Sequence, residues 1–193
     1  MKLVIVKYNA GNIQSVLYAL ERIGMEAVVT DDHQRIQEAD KVIFPGVGEA
    51  STAMNYLTER GLDIVLKNLQ QPVLGVCLGM QLMCNHSEEN DTSCLGIFDT
   101  NVKKFVGDLK IPQIGWNTVE EGKEPLFKNI PKDPYCYFVH SYYAALCKET
   151  AAVTEYGTRF SSALQKSNFY GVQFHPEKSA AAGEQILQNF INL

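Results

Sequence analysis

A cysteine between two glycines is the first feature of this sequence that could carry chemistry. It lies in the stretch Pro72-Val73-Leu74-Gly75-Val76-Cys77-Leu78-Gly79-Met80-Gln81. The apolar run after Pro72 predicts a short buried strand, and the apolar spacing from Leu78 onward predicts a helix. Cys77 therefore lies at a strand-to-helix turn. The Gly-x-Cys-x-Gly spacing is typical of a nucleophile elbow in which cysteine replaces serine.

The predicted position of Cys77 favours an activated thiol. A free thiol has a pKa near 8.5, so only a small fraction is thiolate at neutral pH. A helix N-terminus and a neighbouring histidine both lower that pKa. The alternative is that Cys77 is a small buried hydrophobic residue, as many free cysteines are. The elbow by itself does not decide between these readings.

A histidine and a glutamate near the end of the chain supply the missing base. In Tyr170-Gly171-Val172-Gln173-Phe174-His175-Pro176-Glu177, apolar side chains alternate as in a half-buried strand. Pro176 keeps His175 extended, so His175 and Glu177 can project to the same side. Glu177 would then orient the imidazole, and the other ring nitrogen would take a thiol proton. The alternative, in which His175 ends a strand and Glu177 faces solvent, is less compatible with the cysteine elbow.

An oxyanion site is the third requirement for acyl transfer. The backbone N–H of Leu78, which follows the nucleophile, is one expected donor. A main-chain N–H of Gly46-Val47-Gly48, with Val47 as the candidate, is the second. Glycines let the main chain approach a ligand, although two glycines after a strand can also simply make a turn.

Composition excludes several classes of protein. The chain has 193 residues and a net charge of −5, without a basic stripe for nucleic acid. Its apolar runs fall short of a membrane span, and the N-terminus reads as a first strand rather than a signal peptide. Five cysteines at irregular spacing indicate neither a disulfide framework nor a metal site. We therefore expect a cytoplasmic protein that binds neither nucleic acid nor membrane.

The order of predicted elements indicates an α/β fold. In the first half, strands alternate with helices, which favours a parallel sheet with right-handed crossovers. The second half is richer in strands and ends in a helix from about Ala181, with Ser179 as a plausible cap. The expected fold is a flavodoxin-like, doubly wound and mostly parallel central sheet. It has helices on both faces and an additional antiparallel region in the second half, and residues 1–193 form a single domain. The predicted strands are 3–8, 27–30, 41–44, 73–76, 101–105, 111–119, 135–140, 151–156, 160–165 and 169–174.

The motifs together resemble the class I (triad-type) glutamine amidotransferases. Two motifs carry the resemblance: Gly75-Val76-Cys77-Leu78-Gly79-Met80-Gln81 and Phe174-His175-Pro176-Glu177. Within that family the chain is similar to the glutaminase subunits of imidazole glycerol phosphate synthase. Three further motifs narrow the resemblance to that branch: Gly115-Trp116-Asn117, Phe138-Val139-His140-Ser141-Tyr142 and His175-Pro176-Glu177-Lys178-Ser179. Lys7 departs from the pattern, because many relatives carry an acidic residue there.

The resemblance implies a glutaminase reaction without a metal or organic cofactor. Cys77 would attack the side-chain amide of L-glutamine, His175 would protonate the departing ammonia and later activate water, and Glu177 would orient His175. The residues that would hold glutamine are Gly48 (by its main chain), Gln81, Glu89, Ser141 and Tyr142.

The same resemblance implies a partner protein. Ammonia would pass to a cyclase, the (β/α)8-barrel subunit of imidazole glycerol phosphate synthase, in a heterodimer. The cyclase would convert a phosphoribulosyl-formimino-aminoimidazole carboxamide ribonucleotide into imidazole glycerol phosphate and an aminoimidazole carboxamide ribonucleotide, a step of histidine biosynthesis. The positions expected near the partner surface are Asn12, Ile114, Trp116, Tyr137 and Lys178. Composition alone would place Trp116 in the core.

Three other functions compete with this interpretation. One is a glutaminase that serves another acceptor, as in anthranilate or aminodeoxychorismate synthase, and Gly115-Trp116-Asn117 weighs against it. Another is a cysteine hydrolase of the peptidase or chaperone type on a similar sheet. The third is a binding protein with a dead site, which the intact Cys77, His175 and Glu177 argue against.

Overall fold

The computed structural model describes residues 1–9 and 12–193. The turn predicted over residues 9–12 falls on residues 10 and 11, which lie outside the described part. The strands are β1 (Leu3–Val6), β2 (Val28–Thr30), β3 (Lys41–Phe44), β4 (Val73–Val76), β5 (His86–Ser87), β6 (Thr92–Ser93), β7 (Asn101–Lys104), β8 (Gln113–Thr118), β9 (Tyr135–His140), β10 (Tyr142–Ala144), β11 (Thr150–Glu155), β12 (Arg159–Lys166) and β13 (Phe169–Val172). The α-helices are α1 (Ile13–Arg22), α2 (His33–Gln37), α3 (Ala50–Glu59), α4 (Leu62–Lys67), α5 (Leu78–Leu82) and α6 (Ala180–Ile191). Short 3₁₀ turns cover Glu89–Asp91 and Pro176–Lys178.

The centre of the fold is a parallel sheet in the order β2-β1-β3-β4-β13. This is the flavodoxin-like order, so the predicted doubly wound sheet is confirmed. Strands β1, β3, β4 and β13 are buried along their whole length. Parallel strands covered on both faces need continuous apolar runs, and these strands have them.

The second half extends this sheet with antiparallel pairs, also as predicted. Antiparallel pairs continue the sheet from β13 through β12 and β10 to β7, and β11 pairs with β12. Beyond β7 the sheet ends with β5, which pairs with β7 in parallel, and β6, which pairs with β5 antiparallel. Strands β8 and β9 form a separate two-stranded antiparallel sheet. Strands β5 and β6 form a short hairpin that the list of predicted strands does not include. Strands of two or three residues carry too little periodicity to be read from sequence.

Alternate residues of the central strands supply two hydrophobic cores. Val4 and Val6 of β1 pack into one core with side chains from α2, α3 and α4. Leu3 and Ile5 point the other way and pack with side chains from α1 and α6. The period of two along a strand therefore covers both faces of the sheet with helices. Full burial of such a side chain stabilises the fold by about 1.5–3 kcal/mol.

The pairing of β4 with β13 positions the functional residues. Gly75 lies opposite Gly171 and Val76 opposite Val172. The pairing continues one residue further, because the Cys77 N–H donates to the Val172 carbonyl at 2.8 Å. The cysteine turn and the residues that follow β13 therefore leave the sheet side by side at its carboxyl edge, where open α/β sheets bind ligands.

Glycines let helix α5 approach this part of the sheet. A Cβ on Gly171 would clash with the Met80 side chain. A Cβ on Gly79 would clash with the carbonyl oxygen of Phe44, at the end of β3. The second contact is with backbone, which cannot move aside as a flexible side chain can. Gly79 is therefore required for the helix to dock.

The docking of α5 predicts a selective effect of replacing glycine. Gly79→Ala should lower the free energy of unfolding by about 1–3 kcal/mol or more, because the added methyl group overpacks against Phe44. Gly107→Ala is the control, since a Cβ there meets no atom of the described residues within 4 Å and only its φ of 99° opposes the change. Urea unfolding of both variants measures the difference. Equal losses would show that the close approach at Gly79 does not constrain the fold.

Candidate active site

Cys77 occupies a strained turn between β4 and α5. Its backbone has φ 52° and ψ −110°, which is unusual for a residue other than glycine. Such conformations cost about 1–3 kcal/mol and are found disproportionately at functional sites. The residue is 6% exposed. The strand, the turn and the helix expected of a nucleophile elbow are all present.

His175 and Glu177 form a buried pair beside this turn. His175 is extended, with φ −97° and ψ 96°, and Pro176 begins the short 3₁₀ turn that follows. The two side chains project to the same side, and His175 Nδ1 lies 2.8 Å from Glu177 Oε1. The side chains are only 3% and 2% exposed, so Glu177 does not face solvent. Because Nδ1 is engaged by the carboxylate, Nε2 is the nitrogen free for proton transfer.

The surroundings of His175 favour its charged form. Burial lowers its pKa, but the Cys77 sulfur and the Glu177 carboxylate outweigh burial and raise the pKa to about 10. An imidazole that holds a proton next to the sulfur stabilises a thiolate there. The arrangement is that of a nucleophile, a base and an orienting carboxylate.

The backbone of His175 is also fixed. Its N–H donates to the Tyr137 carbonyl of β9 at 2.9 Å. The Ser179 hydroxyl donates to the His175 carbonyl at 2.7 Å and accepts from the Tyr137 N–H at 2.9 Å. Ser179 occupies the N-cap position of α6, as predicted, but its side chain makes no capping hydrogen bond. Its hydroxyl instead joins His175 to β9.

A cleft of about 270 Å³ opens onto Cys77. It brings together the residues expected around glutamine and the oxyanion, although they come from four different parts of the chain. Pro112, Val139 and His140 also line it and were not expected there. The lining residues are Val47, Gly48, Cys77, Leu78, Gln81, Glu89, Pro112, Val139, His140, Ser141 and Tyr142.

Gln81 is oriented by its neighbours. Its Nε2 donates to the Tyr142 carbonyl at 2.8 Å and to Gln173 Oε1 at 2.9 Å. Both amide protons are therefore engaged within the protein, and the Gln81 carbonyl oxygen is the group left to accept from a ligand. No role was predicted for Gln173 from the sequence, although it lies on the same strand face as His175.

The first expected oxyanion donor is engaged by the main chain. The Leu78 N–H donates to the Gly46 carbonyl at 3.3 Å. In a trans peptide the carbonyl and the following N–H point in opposite directions. With the Gly46 carbonyl directed at Leu78, the Val47 N–H points away from the Leu78 N–H. The two expected donors therefore do not converge in this structure.

The mouth of the cleft carries negative charge. Burial raises the pKa of Glu89, the Ala50 N–H opposes this shift, and the nearby Glu49 adds to it. Hydrogen bonds from Ser51, Thr52 and Asn90 hold Glu49 ionised and lower its pKa to about 2. This acidic rim suits a ligand with a cationic group.

Four of the five positions expected at the partner surface reach solvent on one side of the site. Ile114 is 60% exposed and Trp116 52% exposed, so the alternative that Trp116 belongs to the core is wrong. Trp116 meets the half-buried Tyr137 edge to face, and the exposed Lys178 lies over the Tyr137 ring. Asn12 precedes α1 and accepts a hydrogen bond from the Ser15 hydroxyl.

Comparison with known proteins agrees with this geometry. Residues 4–193 match the family model described as glutamine amidotransferase class-I. The chain is 57% identical to imidazole glycerol phosphate synthase subunit HisH of Bacteroides thetaiotaomicron, and the alignment covers all of both chains. It is 47% identical to the subunit of the same name from Pectobacterium atrosepticum, again over all of both chains.

The chain belongs to the class-I glutamine amidotransferase family. The resemblance predicted from the elbow and the His-Pro-Glu motif is therefore confirmed, including the branch to which it was narrowed. The predicted fold is supported by the crystal structure of a GMP synthase component from Thermoplasma acidophilum, with TM-score 0.76 and 20% identity over 100% of this chain and 93% of the other. A structure titled glutamine amidotransferase also gives TM-score 0.76, with 18% identity over 98% and 97% of the two chains.

The geometry of this class-I amidotransferase predicts unequal costs for changes to the buried pair. His175→Asn should lower the glutaminase rate by about 100- to 10,000-fold, because the group that transfers protons is lost. Glu177→Gln should cost less, because an amide oxygen can still accept the Nδ1 proton. His33→Asn, at an exposed histidine bonded to Arg60, is the control and should match the wild type. Rates measured at saturating glutamine and partner test this order, and a fully active His175→Asn would remove His175 from the mechanism.

Proposed function

We propose that this amidotransferase hydrolyses L-glutamine to glutamate and ammonia through a thioester on Cys77. We propose further that it delivers the ammonia to a cyclase subunit of imidazole glycerol phosphate synthase. One observation carries the proposal: Cys77, at a strained elbow, contacts His175 of the buried His175–Glu177 pair and opens onto a cleft that Glu89 lines. The relatives named as subunits of that synthase support the choice of acceptor over anthranilate or aminodeoxychorismate synthase.

The first half-reaction follows from the contacts of Cys77. The sulfur attacks the side-chain amide carbon, and its proton resides on His175, whose pKa the sulfur and Glu177 raise. The C–N bond then breaks as His175 Nε2 gives the proton to the leaving nitrogen. Ammonia departs and a thioester between Cys77 and the γ-carbonyl remains.

The second half-reaction uses the same groups with a water molecule. Neutral His175 removes a proton from the water, the resulting hydroxide adds to the thioester carbon, and the C–S bond breaks. Glutamate leaves and the sulfur again faces a protonated His175. Throughout both steps Glu177 accepts the Nδ1 proton and so keeps Nε2 directed at the reacting atoms.

Recognition of glutamine draws on the rim and walls of the cleft. Glu89 would bind the α-ammonium group, because its carboxylate lies in the acidic mouth. The Gln81 carbonyl oxygen would accept from the side-chain amide, and the main chain of Gly48 with Ser141 and Tyr142 would hold the rest of the substrate. These assignments rest on the lining of the cleft and on the chemistry of each group.

The partner would dock on an exposed apolar surface made by β8, β9 and Lys178. Exposed aromatic residues such as Trp116 are frequent at protein interfaces. A barrel docked here would lie next to the Tyr137 backbone that holds His175. This proximity suits direct transfer of ammonia from the triad to the cyclase.

Compartment and domain organisation complete the proposal. The five cysteines are all free, which supports the cytoplasm as the compartment. Within residues 1–9 and 12–193, none of the helices is long and apolar enough to cross a membrane. The continuous central sheet supports one domain over residues 1–193, which stays a proposal.

Replacing the nucleophile tests the proposed function directly. Cys77→Ala should abolish glutamine-dependent synthesis by the complex, because no thioester can form. Free ammonia should still support the cyclase, since it bypasses the triad. Cys136→Ala is the matched control, because Cys136 is buried in the same apolar cluster without lining the cleft. Retention of glutamine-dependent turnover by Cys77→Ala would overturn the proposal.

Glu89 should act on binding rather than on the chemical step. Glu89→Gln should raise KM for glutamine by about 10- to 100-fold with little change in kcat, because a charge-assisted hydrogen bond is lost. KM of the wild type should rise as pH falls through the raised pKa of Glu89, since the protonated form no longer attracts the ammonium. Glu88→Gln changes a neighbouring carboxylate outside the cleft and serves as the control. An unchanged KM for Glu89→Gln would exclude Glu89 from binding.

The partner should increase the glutaminase rate. In the structure of the isolated chain the Gly46 carbonyl engages the Leu78 N–H, so docking with nucleotide bound would have to favour a turned peptide. One missing oxyanion donor corresponds to about 100-fold or more in rate. Glutamine hydrolysis is measured for the chain alone, with partner, and with partner plus ligand. Full activity of the chain alone would show that the site is already assembled.

A further inference from the structure

Gln173 is a polar residue inside the fold that the mechanism above does not use. It directly follows β13 and is completely buried. Its backbone N–H donates to the Ser162 carbonyl at 2.9 Å, so the backbone does not need the side chain as a partner. The strand alternation places the Gln173 side chain on the same face as His175. Gly171, two residues earlier, faces Met80, so α5 covers this face of the sheet.

The contacts around Gln173 fix which end of its amide faces Cys77. The Tyr142 carbonyl can only accept, so the Gln81 atom at 2.8 Å from it must be the NH₂ group. That NH₂ group also contacts Gln173 at 2.9 Å, and the contacted atom must therefore be the Gln173 oxygen. The NH₂ group of Gln173 is left pointing at Cys77, with Nε2 3.6 Å from Sγ. A backbone carbonyl thus determines the orientation through two successive amides.

The ionisation state of Cys77 decides whether this contact is useful. A neutral thiol can donate its proton, and the Val139 carbonyl lies 3.7 Å from Sγ. A thiolate has no proton to donate and is stabilised by donors. His175 supplies one such donor, and Gln173 is placed to supply a second that carries no proton-transfer role.

We propose that Gln173 is a positioning residue that donates a hydrogen bond to the Cys77 thiolate, with Gln81 and the Tyr142 carbonyl holding its amide in the required orientation. This inference rests on the proposed role of Cys77 as the nucleophile. It gives Gln81 a second task besides contact with substrate, because Gln81 transmits the orientation from the cleft wall to the sulfur. The fixed donor favours thiolate over thiol before substrate arrives.

The test measures how readily Cys77 is alkylated by iodoacetamide as a function of pH, with the modified peptide quantified by mass spectrometry. Gln173→Met keeps the approximate size of the side chain and removes the donor. In this variant the alkylation rate of Cys77 at neutral pH should fall about 10- to 100-fold relative to the wild type, because the thiolate loses a donor. Gln173→Glu keeps an oxygen for Gln81 but places an acceptor at the sulfur. The alkylation rate should therefore fall further than in Gln173→Met.

A matched control separates this effect from a loss of packing. Ser162→Ala changes a buried residue beside Gln173, whose hydroxyl has no hydrogen-bond partner among the residues that the structure describes. It should leave the alkylation profile unchanged. If the Gln173 variants fail to fold, Gln81→Met tests the same relay with Gln173 intact. Loss of the orienting contact should shift the profile in the same direction.

The outcomes distinguish this inference from the proposed function. A wild-type pH profile in a folded Gln173→Met or Gln81→Met variant would overturn the inference, whereas glutamine hydrolysis by the wild type could still be observed. Conversely, alkylation uses no glutamine, so a shifted profile would support the donor even if the wild type failed to hydrolyse glutamine. In the complex, Gln173→Met should lower kcat about tenfold or more with KM within about twofold, since the donor acts on the nucleophile.

Discussion

The backbone pairing of β4 with β13 is the interaction on which the site depends. It places Val76 opposite Val172 and is continued by the hydrogen bond from the Cys77 N–H to the Val172 carbonyl. Cys77 and His175 lie far apart in the chain, yet they leave adjacent strands at the same edge. A register slip of one residue would turn every side chain of one strand to the opposite face and separate the proposed nucleophile from its proposed base.

The site retains energetically unfavourable features that the surrounding fold must support. Cys77 is held at a positive φ, which costs about 1–3 kcal/mol. The second carboxylate oxygen of Glu177 is buried without a hydrogen-bond partner among the described residues, so the pair with His175 is polar and incompletely satisfied. The amide contacts of Gln81 and Gln173 and the Ser179 hydroxyl fix the neighbouring groups. Buried polar networks of this kind specify one arrangement because any other leaves more groups unpaired.

One connection joins the residues proposed for catalysis to the surface proposed for the partner. The Tyr137 carbonyl of β9 accepts from the His175 N–H, and the same strand carries aromatic residues to the exposed side. Elsewhere in the site, the Gly46 carbonyl engages one expected oxyanion donor, which leaves the proposed triad assembled but the proposed oxyanion site closed. An enzyme that releases ammonia benefits from such a division, since it suppresses hydrolysis of glutamine when no acceptor is present.

Features encoded by neighbouring residues were determined by the sequence alone. Gly75 and Gly79 around Cys77 indicate the elbow, and Pro176 between His175 and Glu177 indicates their common direction, because each depends on local backbone geometry. The tertiary structure decided what depends on distant pairing. Three contacts join segments that are far apart in the chain: Leu78 with Gly46, Ser179 with β9, and Gln173 with Cys77. The exposure of Trp116 likewise depends on which elements pack around it. Hydrophobic periodicity reports which face of an element is buried, but it does not report what that face meets.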